Sequence, residues 1–497
     1  MKKMNLLVMS LVSAAALSFS SCSSNDDLTG GGTQSQADGV YMTLKISGAT
    51  SHGTRTGVTA NKTTAENGSV AESTITEGMM YIYDGNTCVF RKVITKDMFE
   101  KAPTQSTAGV TKPIKVAVTG AITTGKKYDV YFLANNTSIT DPIAATSIFT
   151  STTGGADFAT DNKFVMFNQN DGTKKAQHST VEFTDDAKSE ATPAAAGEIK
   201  LDRVVARIDN PSFDETVTMV TPAENTTTSI NVRDVIAGIS YEGFAVSNLN
   251  NNSYVMQNWD TKFETLNVKW GEPKYSLPKS DYGTLYKAEG LANFSSKENP
   301  VSWKYAFENT TTTVDDATAV YFKVKVALTE TAKAASDFKD GTFYRYDGRL
   351  YTSIKAIYKD AETGAISNPF TETNSIAPEK VVEKITGENG KLIEEGEVLA
   401  KFREDYKIEI YREGVMYYRW AISDNAYKPF VASDATHTYS VLRNSIYRLK
   451  VTKVSEIGKD VPNGPEPDDP VKNPNFYMNV TVSINPWVLN AQPIELK

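Results

Sequence analysis

The strict alternation at the C-terminus constrains this chain more than any other stretch. Phe476, Met478, Val480, Val482 and Ile484 stand on one side of an extended backbone, and Tyr477, Asn479, Thr481 and Ser483 on the other. That is the period of a half-buried β-strand. Asn485-Pro486 interrupts it, and Trp487, Leu489, Ala491, Ile494 and Leu496 continue a looser apolar series. Residues 461–475 in front of it hold five prolines, which excludes a central strand or a helix interior there. As polyproline II that segment would span about 45 Å, at roughly 3 Å per residue. Two readings fit the pattern: an edge meant for pairing elsewhere on a stiff stalk, or a last sandwich strand reached by a surface loop.

The rest of the chain also reads as β. Turn residues recur between short Tyr-, Phe-, Thr- and Val-rich runs, and 497 residues suffice for two or more cores. A net charge of −8 argues against nucleic acid or an anionic membrane surface as the main partner. The cysteines are Cys22 and Cys88. If processing consumes Cys22, no intramolecular disulfide is possible, and packing and ladders must hold the fold.

Residues 1–21 read as a secretory signal: Lys2 and Lys3, an apolar run from Leu6 to Leu17, then small residues. The run is too short to cross a bilayer as a helix. Ser20-Ser21-Cys22 resembles a bacterial lipobox, with Phe19 where leucine is more usual, so Cys22 is the expected lipidation site. Asp26 and Asp27 resemble an acidic tag for surface export. In residues 40–46, Val40, Met42, Leu44 and Ile46 share one face, which predicts a strand. Arg55 follows in a loop of small residues between Gly53 and Gly57, accessible to a trypsin-like protease.

Further strands are predicted at 79–83, 113–119, 128–134, 201–208, 232–246, 254–259, 320–326 and 441–454. In the third of these Tyr128, Val130, Phe132 and Ala134 should face the core; in 320–326, Val320, Phe322, Val324 and Val326 should. Residues 406–411 and 415–422 read as a hairpin joined at Arg412-Glu413-Gly414. Residues 137–198, rich in Thr, Ala, Asn and Gly apart from the apolar run 164–167, read as long loops. Short helices are expected at 95–102, 350–359 and 397–405, and Asn210-Pro211 opens a polar stretch that reads as a domain boundary.

Catalytic and metal-binding patterns do not emerge. His52, His178 and His437 lie far apart, without metal-ligand spacing. Gly120 to Lys126 imitates a phosphate-binding loop, but Lys127 stands where Ser or Thr should bind Mg²⁺ and a strand follows, so it reads as a hairpin turn. Asn170-Asp171-Gly172 and Asp84-Gly85 are turn chemistry first. Carboxylates are numerous, yet sequence places no pair of them in a cleft. No enzymatic activity, cofactor or metal is expected.

Several segments in chain order carry a resemblance. They are Tyr128-Asp-Val-Tyr-Phe-Leu-Ala-Asn135, Leu201-Asp-Arg-Val-Val-Ala-Arg207, Tyr305-Ala-Phe-Glu-Asn-Thr310 and Phe343-Tyr-Arg-Tyr-Asp-Gly-Arg-Leu-Tyr351, then Val441-Leu-Arg-Asn-Ser-Ile-Tyr447 and Ile484-Asn-Pro-Trp487. With the lipobox and the tail, the set resembles the minor-fimbrium (Mfa-type) fimbrillins, structural subunits of the type V pili of Bacteroidales. The resemblance implies an all-β fold of two tandem transthyretin-like β-sandwich domains with few short helices. It implies a signal peptide (1–21) and a lipidated propeptide with the first strand (22–55). An N-terminal domain (56–212), a C-terminal domain (213–460), a proline-rich linker (461–475) and a donor strand (476–497) would follow.

The implied life history is export to the outer membrane as a palmitate-bearing lipoprotein on Cys22, then cleavage after Arg55 by an arginine-specific protease. Polymerisation by strand exchange into a surface fimbrium that supports adhesion would follow. Copies of itself and other fimbrial subunits are the implied partners, besides the protease and the membrane lipid. Val40, Met42, Leu44 and Ile46 would form the released strand; Phe476, Met478, Val480, Val482, Ile484 and Trp487 would form the donor strand. In the uncleaved precursor the tail would pack loosely or project. Cys88 has no implied role beyond that of a small hydrophobe. A fimbrial tip or anchor subunit, or a surface glycan-binding lipoprotein, is the alternative.

Overall fold

Alternating apolar runs become strands wherever a partner covers their polar backbone. The computed structural model describes residues 39–48, 66–100, 113–144, 147–169, 179–213, 232–257, 294–295, 301–311, 317–370, 376–422, 439–454, 457–461 and 478–488. Cys22, Arg55, the three histidines, residues 170–172, the prolines of 462–475 and Phe476 lie outside the described residues.

The N-terminal part contains β1 (Val40–Gly48), β2 (Glu66–Asn67), α1 (Val70–Ser73), β3 (Glu77–Asp84), β4 (Thr87–Thr95), α2 (Lys96–Glu100), β5 (Ile114–Val118) and β6 (Lys127–Ala134). It continues through β7 (Ile148–Thr150), β8 (Met166–Asn168), β9 (Ser179–Glu182) and β10 (Ala194–Arg203). One sheet runs β4-β3-β6-β8-β10-β1-β5, with β9 beside β6. A single residue pair, Ala134 with Met166, joins β6 to β8, so the sheet can fold over there and enclose one core. The fold covers both faces of β6. The expected inward set Tyr128, Val130, Phe132 and Ala134 is buried, and Tyr131 and Leu133 between them are buried as well.

Residues 137–198 are not loop throughout their described part. They supply β7, β8, β9 and the first half of β10. Residues 194–197, Ala-Ala-Ala-Gly, have little β-propensity of their own; the backbone of β1, lying parallel to them, provides the ladder. Gly120 to Lys126 is likewise no hairpin turn, since β5 pairs with β1 and β6 pairs with β3, β8 and β9. It is a connecting loop, pinned where Gly125 N–H donates to the Phe183 carbonyl and Lys126 pairs with Asp84.

The predicted strand 201–208 is two strands. Val204 and Val205, both fully buried, bend between β10 and β11 (Ala206–Asp209), and β11 enters a different sheet. The chain then forms β12 (Ser212–Phe213), α3 (Val232–Val235), β13 (Ile236–Ser247), β14 (Asn252–Tyr254), β15 (Trp303–Ala306), β16 (Asn309–Thr311) and β17 (Ala319–Leu328). Next come α4 (Glu330–Ala335), β18 (Phe343–Tyr346), β19 (Arg349–Tyr351), α5 (Ile354–Glu362), α6 (Pro378–Glu383) and α7 (Glu397–Tyr406). Last are β20 (Glu409–Tyr411), β21 (Val415–Ala421), β22 (Tyr439–Val441), β23 (Ser445–Val454) and β24 (Met478–Val488).

A second sheet runs β15-β11-β23-β24-β2, with β12 beside β23, and a third runs β13-β17-β21. They share a core in which Ile208, Leu449 and Val451 meet Phe322, Val324 and Met416. The predicted inward set Val320, Phe322, Val324 and Val326 is buried there. Short ladders β7-β14, β16-β22 and β19-β18-β20 fill the margins, and α5, α6 and α7 pack a satellite core around Phe370 and Phe402. The described chain is thus mostly strand in sandwich-like layers with few, short helices, as the sequence leads one to expect.

β20 and β21 are not a hairpin. β20 pairs with β18 and β21 with β17, because residues 412–414 turn the chain from one sheet into another. Glu413 takes φ 52° and Gly414 φ 80°, and a Cβ on Gly414 would lie 2.5 Å from the Val326 carbonyl oxygen. Gly414→Ala is therefore expected to cost about 2–3 kcal/mol in urea denaturation, through a left-handed backbone plus a clash. Gly85→Ala, at φ 60° with nothing within 4 Å, should cost only about 1 kcal/mol. Equal costs at the two sites would refute the close-approach account.

Candidate subunit-joining site

β1 is an inserted strand with partners on both sides. It runs parallel to β10, Met42 opposite Ala194 and Ile46 opposite Ile199, and antiparallel to β5, Met42 opposite Val116 and Leu44 opposite Ile114. Met42, Leu44 and Ile46 are fully buried and Val40 nearly so, while Tyr41, Thr43 and Lys45 on the other face are half-buried. Four such side chains at about 1.5–3 kcal/mol each give roughly 6–12 kcal/mol as an upper bound. Removing β1 would leave two facing edges, β10 and β5, above a strip of open core.

The tail lies elsewhere. β24 runs antiparallel along β23, with Met478 opposite Val454, Val480 opposite Val451, Val482 opposite Leu449 and Ile484 opposite Tyr447. Its far end pairs in parallel with β2, Trp487 opposite Glu66 and Val488 opposite Asn67. The expected loose or projecting tail is corrected accordingly: residues 478–488 form a strand of the chain's own second sheet. The reason is that β23 presents an alternating edge, its Tyr447, Leu449, Val451 and Val454 all buried, which an alternating strand can complete.

A buried polar seam that the periodicity did not disclose joins α1, β10, β11, β15 and β23. Ser69 caps α1 and exchanges bonds with Glu72, which places the Glu72 carboxylate inside. Glu72 accepts from Arg207 Nη1 at 3.0 Å and from the Tyr305 hydroxyl at 3.2 Å. Arg203, wholly buried, donates through Nε to the Glu72 carbonyl at 2.9 Å and through Nη2 to Ser73 Oγ at 3.1 Å. Its backbone N–H reaches Asn444 Oδ1 at 3.3 Å, and Asn444 Nδ2 donates to Asp202 at 2.6 Å. Arg207 also pairs with Asp209, which Arg448 of β23 reaches at 2.8 Å.

Electrostatics agree with this layout. Burial by itself would raise the Glu72 carboxyl, but the Ser69 amide and the Arg207 and Arg203 guanidinium groups outweigh it and hold it below the usual range. Desolvation pulls Arg203 down to about 9 against the attraction of Glu72, which leaves it a cation at neutral pH. A second buried pair joins Arg443 Nε to Glu308 at 2.7 Å, with Arg443 also donating to the Val255 and Tyr254 carbonyls.

The segments that carry the resemblance supply these groups: Arg203 and Arg207, Tyr305 and Glu308, Arg443 and Asn444. The available signal was an arginine set inside an apolar run, as at Leu201-Asp-Arg-Val-Val205; no periodicity rule names its partner, and Glu72 carried no signal at all. Cys88 is half-buried against the first core, its Sγ 3.5 Å from the Phe90 carbonyl, consistent with a packing role.

The sequence of residues 409–493 matches the family model for the C-terminal region of fimbrillin, the major fimbrial subunit protein type IV. No curated protein matches the chain. Among solved structures, a fimbrilin from Porphyromonas gingivalis W83 is 13% identical, with a TM-score of 0.44, covering 90% of this chain and 98% of the other. A putative cell adhesion protein from Parabacteroides distasonis is 12% identical, with a TM-score of 0.43, covering 92% and 98%. The tip fimbrial protein Mfa3 from Porphyromonas gingivalis, truncated at its C-terminus, is 13% identical, with a TM-score of 0.34, covering 90% and 100%. These likenesses are distant, and the sequence match covers residues 409–493 alone. That match spans β20 to the end of β24, the strands that hold and form the tail. Through this segment the chain resembles the C-terminal region of the fimbrillins, a family of fimbrial subunit proteins.

Proposed function

We propose that this protein is a structural shaft subunit of a surface fimbrium, exported as a lipoprotein on Cys22, cleaved after Arg55 and polymerised by donor-strand exchange. On this reading it has two tandem β-sandwich domains and no catalytic role. The single observation that carries the reading is the position of β1: it is paired on both sides and buried along one face. It also precedes Arg55 in the chain, so one cut would detach it covalently. Losing it opens a slot whose width and polarity suit another alternating strand. The tail has that alternation, from Met478 to Ile484. To reach a neighbour's slot it must first leave β23, so exchange here trades one strand pairing for another. A head-to-tail contact of this kind does not close on itself and propagates as a fibre.

The test is N-terminal sequencing of protein sheared from the cell surface, with Arg55→Ala alongside. Wild-type filaments should begin at Thr56, and the variant should remain a full-length surface monomer. Filaments of Arg55→Ala, or wild-type filaments that retain β1, would refute the reading.

A further inference from the structure

β23 ends at Val454, and the short stretch 457–461 that follows it is tied down at nearly every residue. Ile457 and Val461 are about 1% exposed. The Gly458 carbonyl accepts from the Tyr411 hydroxyl at 2.9 Å. Gly458 also passes so close to β21 that a Cβ would lie 2.5 Å from the Tyr417 carbonyl oxygen. Lys459 and Tyr417 exchange backbone bonds of 2.7 and 2.8 Å. The buried Asp460 carboxylate accepts from Arg403 Nε and from the Ile410 amide, the latter at 2.9 Å. Arg403 is itself clamped by both oxygens of Glu395, at 2.9 and 3.0 Å.

These ties have a direction. None of the groups named belongs to β23 or to its sheet. Tyr417 is on β21, Tyr411 and Ile410 are on β20, and Arg403 is on α7. The five residues cross from the sheet that holds the tail to the opposite layer and to the helical satellite, just before the proline-rich segment departs. A surface loop needs no such holding. A chain pulled from its C-terminal side does, because tension on Val461 would otherwise peel β23 from its end, one ladder bond at a time.

We infer that residues 457–461 are a mechanical anchor for the C-terminal tail, delivering tension that arrives through it to β21, β20 and α7. The role of that tension in a filament rests on the donor-strand reading above; the anchor itself is a property of the single chain. Asp460 and Arg403 are its central pair, with Tyr411 and the Lys459 ladder bonds beside them.

Single full-length chains stretched between the C-terminus and a surface handle at Lys333 test this. β24 should release first, followed by a distinct second barrier before the sandwich opens. At constant force Asp460→Asn should cross that second barrier at least about tenfold faster, because a buried charge-assisted bond is lost. Tyr411→Phe, which removes one hydroxyl and is the milder change if Asp460→Asn misfolds, should cross it about threefold faster. Release of β24 should be unchanged in both. A second barrier that is missing in wild type, or indifferent to both variants, overturns the anchor. Filament assembly of the protease-treated wild type is scored separately. If it fails while the barrier behaves as described, the donor-strand reading falls and the anchor stands.

Discussion

Glu72→Ala is expected to cost about 3–5 kcal/mol of stability, because it leaves two guanidinium groups short of their shared anion inside the fold. Arg203 is wholly buried and Arg207 is 9% exposed, so neither can turn to bulk water without disturbing Val204 and Val205 between them. Asp209 still neutralises Arg207, and Arg203 keeps its bonds to the residue-72 carbonyl and to Ser73. The penalty is therefore the lost attraction of the carboxylate for both cations and the lost Arg207 bond. Glu72→Gln should be milder, since the amide keeps the shape and can still accept from Arg207 and from Tyr305. The two variants also differ from wild type in acid. The folded Glu72 carboxyl lies below its ordinary value of 4.5, so it adds stability above pH 4.5 and loses that contribution as pH falls through the folded value. Urea midpoints of wild type should therefore fall below pH 4.5 more steeply than those of Glu72→Gln. Parallel pH curves, or a cost for Glu72→Ala below about 1 kcal/mol, would show that the seam is not held by this ion pair.

The second large effect concerns the slot left by β1. A peptide of residues 476–488 should bind the chain cleaved after Arg55 and should not bind the uncleaved chain, in which β1 fills the slot. Supplying the tail in trans matters because Val482 also stands opposite the buried Leu449 within its own chain. A Val482→Asp substitution in the whole protein would damage both sites together. In the peptide, Val482→Asp would place a carboxylate in the apolar strip vacated by Met42 and Leu44. That should weaken binding at least about 100-fold, the equivalent of about 2.7 kcal/mol. Thr481→Asp, one residue along on the opposite face, should change binding less than about fivefold. Fluorescence anisotropy of the three labelled peptides against the cleaved and the uncleaved chain measures all six combinations. Equal binding to cleaved and uncleaved chains, or equal loss from both substitutions, would sink the exchange mechanism.

These two sites differ in how far the sequence reveals them. The face Val40, Met42, Leu44 and Ile46 is legible from alternation, since period two has a single structural meaning and the structure buries all four. The same holds for Val320 to Val326 and for the all-β class. The resemblance to fimbrillins was legible through short segments whose meaning was not. Arg203, Tyr305, Glu308, Arg443 and Asn444 sit in those segments, and their partners lie up to 242 positions away in the chain, as Asn444 does from Asp202.

What the sequence by itself determined is local: which stretches are extended, which face of each is apolar, where a turn is forced, and that the tail alternates. What tertiary structure alone decided is who pairs with whom. Residues 201–208 carry apolar side chains on both sides of a bend, and only the presence of two sheets shows that the run must divide at Val204-Val205. β20 and β21 have the look of a hairpin, yet Glu413 and Gly414 send them to different sheets. The tail could complete any alternating edge of sufficient length, and β23 offers one. The physical reason is common to all three. Hydrophobic alternation is a property of one strand, whereas register and partner are set by the backbone hydrogen bonds and packed side chains of a second strand distant in sequence.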